Sequence, residues 1–344
     1  MMVLSTRFIS TRSLAPSFRF TSHRALTTVS PCPQQALFDH KSEAHSSIEE
    51  RRAEISEEEQ ELIREGPGSY AMPSVGAPHP DTLYYDTQLA ASNVKASGLC
   101  HFPDMLDADT CHRLRDHINK VLVTSKDLVA NQGAPYLSCF GPVMARADRY
   151  DVLLPLDGLV LSAIRTVLSK VEPTMRELVG EDACLCELSA LISDPGAVAQ
   201  PLHHDTSFDG NPPRVSLLVA LQDVNEDMGP TLFFPKTNTP EWHVQYLMRG
   251  EELEELLGAT EHNVGTLKAG DAVLYDTHLL HCASGAEHSG RRRTLLTLSA
   301  QEENEDNREG QANIRKGYRG TLKLNQLQEW AVREEQHMVA ATGI

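Results

Sequence analysis

The sequence predicts a mainly β fold, with a barrel-like core and helices that flank it. From Cys184 onward the chain reads as short strand patterns separated by Pro and Gly turns, and helical patterns precede them. The predicted strands cover residues 184–192, 214–221, 231–235, 271–276 and 293–299. A further short strand is predicted ahead of the helices, over residues 98–102.

The helical patterns lie mainly between this first strand and Cys184. Asp107 is a suitable N-cap for the first helix. Apolar residues then recur at helical spacing: Cys111, Leu114, Ile118, Val121 and Leu122. A second helix is predicted from about Leu159 to Leu178, and a short one over residues 251–257, inside an insert between strands.

The first 38 residues have the composition of an organelle transit peptide. Residues 1–38 contain no Asp or Glu, whereas they contain Arg7, Arg12, Arg19 and Arg24 and many Ser and Thr. The alternative is a disordered cytosolic tail. We therefore expect a mitochondrial or plastid location, and otherwise a cytoplasmic one.

The rest of the chain divides by composition into three parts. Residues 39–95 combine a charge-dense stretch with a segment rich in Pro, Gly and Tyr, which predicts a linker followed by an irregular arm. Residues 96–305 hold the strand and helix patterns and form the expected functional domain, and residues 306–344 form a C-terminal extension.

Net charge and hydropathy exclude several classes of partner. The chain of 344 residues has a formal net charge of −17, which argues against binding nucleic acid or anionic membrane surfaces. It contains no apolar run long enough for a transmembrane helix. A small diffusible substrate fits this balance better.

The seven cysteines form no regular framework. Cys184 and Cys186 lie within one predicted strand, without a second Cys or His pair at the spacing of a zinc site. We interpret them as reduced core thiols.

The segment 200–205 carries the strongest chemical signal. His203 and Asp205 are two residues apart, so on a strand or its edge both side chains point the same way, whereas His204 points away. An imidazole and a carboxylate on one face are two ligands of a 2-His-1-carboxylate triad, which binds iron(II) and leaves positions open.

A third ligand is available after the strand over residues 271–276. His281 follows it in a context of small residues, and His278 is a rival ligand in the same segment. We prefer His281 because it lies just before Cys282-Ala283-Ser284. The simpler alternative is a loop histidine that is satisfied by hydrogen bonds.

Three cations, Arg291, Arg292 and Arg293, lead directly into the last predicted strand. A buried Arg at the start of a strand requires an anionic partner, such as a carboxylate of 2-oxoglutarate. Strand alternation places Arg292 on the more apolar face, with Thr294, Leu296 and Leu298, and Arg293 on the other. We therefore expect Arg292 to point inward and Arg291 to be solvated.

The order and spacing of these features resemble the phytanoyl-CoA dioxygenase family. The resemblance covers residues 95–300: the GLCHFPDMLDADTCHRLRDHI opening, the H-x-D motif, the LQDVNEDMGPTLFFP segment, and then the distal His and Arg. It implies a double-stranded β-helix, or jelly roll, with helices on one side. It also implies an oxygenase that uses iron(II), 2-oxoglutarate and oxygen, with ascorbate as a further candidate cofactor.

The resemblance also implies roles for single residues. His203, Asp205 and His281 would hold iron, and Arg292 would bind the distal carboxylate of 2-oxoglutarate, with Arg293 as the neighbouring alternative. Gln200 would contact the site or make a structural hydrogen bond. The substrate would be hydroxylated or desaturated, and the candidates are a lipid or acyl thioester, an amino-acid derivative and a pigment.

Two other readings of the same residues remain open. The GPTLFFP segment also resembles prolyl 4-hydroxylases, although those use a Lys where this chain has arginines. A cupin-like metal protein would cluster His and acid in a jelly roll without needing the strand-initial Arg.

Overall fold

Helices and strands follow one another in the order that the sequence predicts, with several additions. The computed structural model describes residues 87–208, 211–248, 257, 260–302 and 313–332. The predicted transit peptide and most of the predicted helix over residues 251–257 lie outside these residues. No helix in the described part of the chain is both long and apolar enough to span a bilayer.

The α-helices of the described residues are α1 (Ala90–Ser97), α2 (Ala108–Asn131), α3 (Tyr136–Cys139), α4 (Gly158–Val179) and α5 (Pro240–Met248). Helix α2 begins as predicted, because the Asp107 carboxylate accepts a hydrogen bond from the backbone N–H of Thr110 at 2.8 Å. Asp157 caps α4 in the same way, accepting from Leu159 and Val160.

The strands are β1 (Leu99–Phe102), β2 (Arg149–Leu153), β3 (Ala183–Ser193), β4 (Arg214–Ala220), β5 (Thr231–Phe233), β6 (Asn263–Val264), β7 (Ala272–Asp276), β8 (His281–Ala283) and β9 (Arg293–Glu302). Six of them form an antiparallel main sheet in the order β1-β7-β4-β9-β3-β2. The other three form a smaller sheet in the order β6-β5-β8. The predicted mainly β jelly-roll fold with flanking helices is confirmed.

Both faces of the main sheet are buried. Leu296 and Leu298 of β9 belong to the large core that also contains Ile164 and Val167 of α4. Leu295, on the opposite face of β9, belongs to a second core that includes Phe233 of the smaller sheet. We call the face that carries Leu295 the inner face.

Segments outside the predicted domain also contribute to the structure. The end of the predicted irregular arm is helical, and the prediction is wrong there. Helix α1 forms because Ala90 and Val94 pack a short apolar stripe against the core. Residues 313–332 of the predicted extension pack on the same core through Ile314, Tyr318 and Trp330. The sequence predicts no strand at β2, β6 or β8 and no helix at α5.

The side chains of Cys184 and Cys186 are buried, and neither forms a disulfide bond. This agrees with their interpretation as reduced core residues.

Candidate active site

Three side chains, His203, Asp205 and His281, converge beside Tyr275 of the inner face. One potential ligand atom from each lies within 4.8 Å of the other two. The Asp205 carboxylate oxygens are 3.7 Å from His203 Nε2 and 3.6 Å from His281 Nε2. These are the three residues that the sequence nominated, and the structure brings them together.

The backbone fixes the spacing of the two imidazoles. His203 forms an isolated antiparallel bridge with His281, the first residue of β8. Asp205 is held in turn because its N–H donates to the carbonyl oxygen of Thr277 at 2.9 Å. The H-x-D segment therefore pairs with the edge of the smaller sheet at His203. This extended conformation agrees with side chains two residues apart pointing the same way.

Both histidines are oriented through Nδ1. His203 Nδ1 lies 2.8 Å from the carbonyl oxygen of Pro201, and His281 Nδ1 lies 2.9 Å from that of Leu279. A carbonyl oxygen only accepts hydrogen bonds, so each Nδ1 carries the proton. The lone pair of each Nε2 is left facing Asp205, which is the tautomer that a metal ligand requires.

The electrostatics of the cluster also suit a cation. Burial, followed by the charge of His281, lowers the pKa of His203 to about 4, so this imidazole is neutral at physiological pH. Burial alone would raise the pKa of Asp205, but His281, His203 and Arg214 together keep it below its usual value. Two imidazoles and one carboxylate are the donor set of a non-haem iron(II) site.

Tyr275 of β7 supports the carboxylate. Its hydroxyl donates to Asp205 Oδ2 at 2.9 Å. A hydrogen bond of this kind fixes the orientation of a ligand and tunes its basicity. Sequence reasoning did not identify Tyr275, although its place on a strand before the distal histidine is a usable signal.

The two other histidines of these segments lie outside the cluster. His278 Nδ1 pairs with Asp276 Oδ1 at 2.8 Å, and its ring stacks on Phe208 with centroids 4.1 Å apart. His204 points away as expected and stacks on His243 at 4.0 Å.

The structure reverses the predicted faces of Arg292 and Arg293. Arg292 lies on the face of the helix layer, where its guanidinium grips both oxygens of Asp194 and donates to Asn119 of α2. Arg293 is fully buried on the inner face, beside Ser193. The expectation that Arg292 points inward is wrong, because the more apolar face of β9 packs on α4 rather than on the site.

Arg293 lines a pocket that shares Phe233 with the surroundings of the metal-ligand cluster. The pocket walls include Leu218, Thr231, Phe233, Val273 and Leu295. The Phe233 ring also stacks over His281, with centroids 6.2 Å apart, so one side chain contributes to the pocket and touches the cluster. Arg293 itself donates to the carbonyl oxygen of Gly229, in the segment GPTLFFP.

A second buried guanidinium, which sequence reasoning missed, lies beside the first. Arg149 of β2 donates from Nε to Ser193 Oγ at 3.3 Å, and Arg293 donates to the same oxygen at 3.2 Å. Burial and the neighbouring Arg149 lower the pKa of Arg293 to about 9, and burial lowers that of Arg149 to about 10. Within the described residues neither forms an ion pair with a carboxylate, and both Arg149 Nη2 and Arg293 Nε lack a hydrogen-bond partner.

Gln200 has a structural role in this geometry. Its Oε1 accepts from the N–H of Ala283 at 3.1 Å, and its Nε2 donates to the carbonyl oxygen of Met144 at 3.3 Å. Both ends of the amide are thus occupied, so Gln200 ties the H-x-D segment to β8.

Comparison with solved structures gives distant similarities to several proteins. The chain is similar to the non-haem alpha-ketoglutarate-dependent epimerase SnoN from nogalamycin biosynthesis, with 20% identity and a TM-score of 0.45, over 63% of this chain and 83% of SnoN. It is similar to AviO1 from Streptomyces viridochromogenes Tue57, with 15% identity and a TM-score of 0.46, over 64% and 96% of the two chains. HygX from Streptomyces hygroscopicus, solved with nickel and 2-oxoglutarate bound, shares 17% identity and a TM-score of 0.46 over 67% and 97%.

No curated protein matches the sequence. The family model for phytanoyl-CoA dioxygenase, in contrast, matches residues 94–295, which is more than half of the chain and spans the three converging side chains and Arg293. The chain therefore belongs to the phytanoyl-CoA dioxygenase family, and it is a 2-oxoglutarate-dependent non-haem iron oxygenase.

Proposed function

We propose that this protein hydroxylates or desaturates a small organic substrate, and that iron(II) is held by His203, Asp205 and His281. In the same reaction 2-oxoglutarate would be converted to succinate and CO2. The observation that carries the proposal is the nearness of this donor set, which contacts Tyr275 of the inner face, to two buried guanidiniums on that face that have no carboxylate partner among the described residues.

The donor set fits iron(II) both in its chemistry and in the orientation of its ligand atoms. Two imidazoles already present Nε2 towards a carboxylate, and Tyr275 holds that carboxylate in place. When bound, iron(II) supplies the site at which 2-oxoglutarate and oxygen are activated.

The paired guanidiniums favour a ligand with at least one carboxylate. Two buried cations side by side repel each other, and each keeps an unpartnered N–H, so an anion would relieve both costs at once. The distal carboxylate of 2-oxoglutarate fits Arg293, with Arg149 behind it. This pair also favours the oxygenase over a cupin-like protein, which has no need of a buried cation here.

The remaining side chains of the pocket would exclude water and orient the cosubstrate. Phe233, Leu218, Val273 and Leu295 are buried and apolar, so they surround the charged end in a medium of low polarity, where its ion pair with Arg293 is strengthened.

Two further assignments rest on the sequence. We propose ascorbate as an accessory reductant, on the strength of the family resemblance. We also propose delivery to a mitochondrion or plastid, on the composition of residues 1–38.

Succinate release tests the proposed function. The purified chain is incubated with iron(II), 2-oxoglutarate, oxygen and ascorbate, and succinate is quantified with and without added candidate substrates. The wild-type protein should convert 2-oxoglutarate, while Asp205→Ala, which removes the carboxylate ligand, should not. Equal turnover by both proteins, or none by wild type together with no calorimetric binding of 2-oxoglutarate, would contradict the proposal.

A further inference from the structure

The inner face of the main sheet carries a second polar patch, separate from the two guanidiniums. On β3 and β9 it consists of two directly opposed pairs, Ser189 with Thr297 and Glu187 with Ser299. Asp151 of the neighbouring β2 is opposed to Leu191 of β3, two residues from Ser189, and so shares this face. We call these five side chains the acidic patch.

Both carboxylate oxygens of Glu187 have hydrogen-bond partners. It accepts from the hydroxyls of Ser299 and Ser189 and from Nη2 of Arg214, which lies 3.3 Å away on β4. Arg214 and Glu187 thus form a buried ion pair, and their opposite charges largely cancel.

Asp151 and Thr297 are not satisfied in this way. Asp151 is 3% exposed and Thr297 is 5% exposed. Asp151 Oδ1 and Thr297 Oγ1 have no hydrogen-bond partner among the residues that the structure describes. Leaving such atoms buried and unpaired costs free energy, and a ligand that supplies donors would recover it.

The backbone over Asp151 is shaped to accommodate this carboxylate. A Cβ atom at residue 141 would lie 2.1 Å from Asp151 Oδ2, so the loop can pass there only because Gly141 has no side chain. The carboxylate is therefore covered by main chain on one side, while Oδ1 remains unpaired.

The charge of the patch favours a cationic partner. Burial, and then the nearby Glu187, raise the pKa of Asp151 well above its usual value. The neighbouring guanidinium of Arg214 is paired with Glu187 and lowers the pKa of Asp151 only as a lesser effect. The raised pKa means that Asp151 keeps its proton more readily in the free protein. A positively charged group placed beside Oδ1 would lower this pKa again and favour the carboxylate, and the net charge of −17 attracts cations to the molecule in general.

The patch is connected to the proposed metal site. Tyr275, which donates to Asp205, is opposed to Ser216 of β4, and Ser216 Oγ lies 2.6 Å from Ser299 Oγ. Tyr275 and Glu187 are thus three strands apart, or about 14 Å along the sheet at the usual strand spacing. An extended ligand of about this length could contact both the proposed metal site and the acidic patch.

We propose that the acidic patch binds an ammonium group of the substrate, through Asp151 with support from Thr297. The substrate class is therefore a small organic amine or amino-acid derivative, rather than an acyl thioester or a neutral pigment. This inference rests on the proposed oxygenase function, because it takes the inner face to be the substrate-binding surface.

Three probes of equal chain length test the inference: hexylammonium, hexan-1-ol and hexanoate. Each is titrated calorimetrically into the full chain loaded with iron(II) and 2-oxoglutarate without oxygen. Hexylammonium should bind at least about tenfold more tightly than the other two, the usual effect of one charge-assisted hydrogen bond. Asp151→Asn, which keeps the size of the side chain, should lose about tenfold in affinity for hexylammonium alone.

Asp148→Asn is the matched control. Asp148 is exposed, lies three residues from Asp151, and has a backbone φ of 58°, which Asn also tolerates. It should bind hexylammonium as wild type does. Equal binding of hexanol or hexanoate by wild type, or wild-type affinity in Asp151→Asn, would overturn the inference.

If Asp151→Asn does not fold, as judged by its thermal melt, the three probes on the wild-type protein decide alone. Failure of the oxygenase proposal is seen separately, as absence of 2-oxoglutarate binding in the loading step.

Discussion

The main chains of His203 and His281 are joined by two hydrogen bonds. The N–H of His203 donates to the carbonyl oxygen of His281 at 3.0 Å, and the N–H of His281 donates back at 2.8 Å. The two residues are therefore held in register by their main chains, and their ring centroids are 4.4 Å apart. Removing either ring should leave this bridge in place.

Accordingly, His203→Ala or His281→Ala should abolish iron(II) binding while the protein remains folded. Metal content after loading, measured by mass spectrometry, should fall from one ion per chain to near zero, with a circular dichroism spectrum like that of wild type. His278→Ala is the control, since His278 is paired with Asp276. Retention of metal by His281→Ala together with its loss in His278→Ala would show that the ligand assignment is wrong.

Arg293→Ala should weaken 2-oxoglutarate binding by a hundredfold or more. Loss of a buried bidentate contact costs about 3 kcal/mol or more, which corresponds to that change in Kd. Calorimetry on the iron-loaded protein measures it, with Arg293→Lys as a variant that keeps the charge.

The neighbouring Arg292→Ala should leave this Kd unchanged, because Arg292 is bound to Asp194 on the opposite face. An unchanged Kd in Arg293→Ala, with a raised one in Arg292→Ala, would reverse the assignment of faces.

Arg149→Met should raise the Kd of 2-oxoglutarate about tenfold, the scale of one hydrogen bond to a charged group. Met keeps most of the buried volume and removes the second cation, so the free protein should lose the repulsion between Arg149 and Arg293. Loss of this repulsion should raise the melting temperature of the unliganded variant, whereas loss of the hydrogen bonds to Ala145 and Val198 should lower it. We therefore expect no net decrease relative to wild type. A Kd equal to that of wild type would exclude a role for Arg149 in anion binding.

Tyr275→Phe should lower iron(II) affinity by about tenfold or more, as loss of a hydrogen bond to a metal ligand usually does. The change removes only the hydroxyl that donates to Asp205 and keeps the ring that packs on Phe233. Competition with a chelator measures the affinity. Tyr150→Phe makes the same chemical change on β2, away from the ligands, and should have no effect; a similar loss in both variants would refute a specific role for Tyr275.

Residues 1–38 should direct a fluorescent reporter to mitochondria or plastids, because they are basic and free of acid. Replacing Arg7, Arg12, Arg19 and Arg24 by Glu should leave the same reporter in the cytosol. A diffuse signal from the unaltered segment would disprove the targeting proposal.

The sequence by itself determined the local chemistry of the site and most of the strands. The spacing of His203 and Asp205 requires a shared face on extended chain, and Asp107 is a cap wherever a helix follows it. The small residues after His281 favour it over His278 as the third ligand. The tertiary structure brings His281 to the other two candidate ligands.

Only the tertiary structure decided which face of β9 is the inner one. Alternation separates Arg292 from Arg293, but both faces of the strand are buried, one under α4 and one in the site. Hydrophobicity therefore cannot tell them apart, and the more apolar face is the one that packs on the helix. The roles of Arg149 and Asp151 could not be predicted from the sequence for a related reason. They depend on neighbours on β3 and β9, which are distant in sequence but adjacent in the sheet.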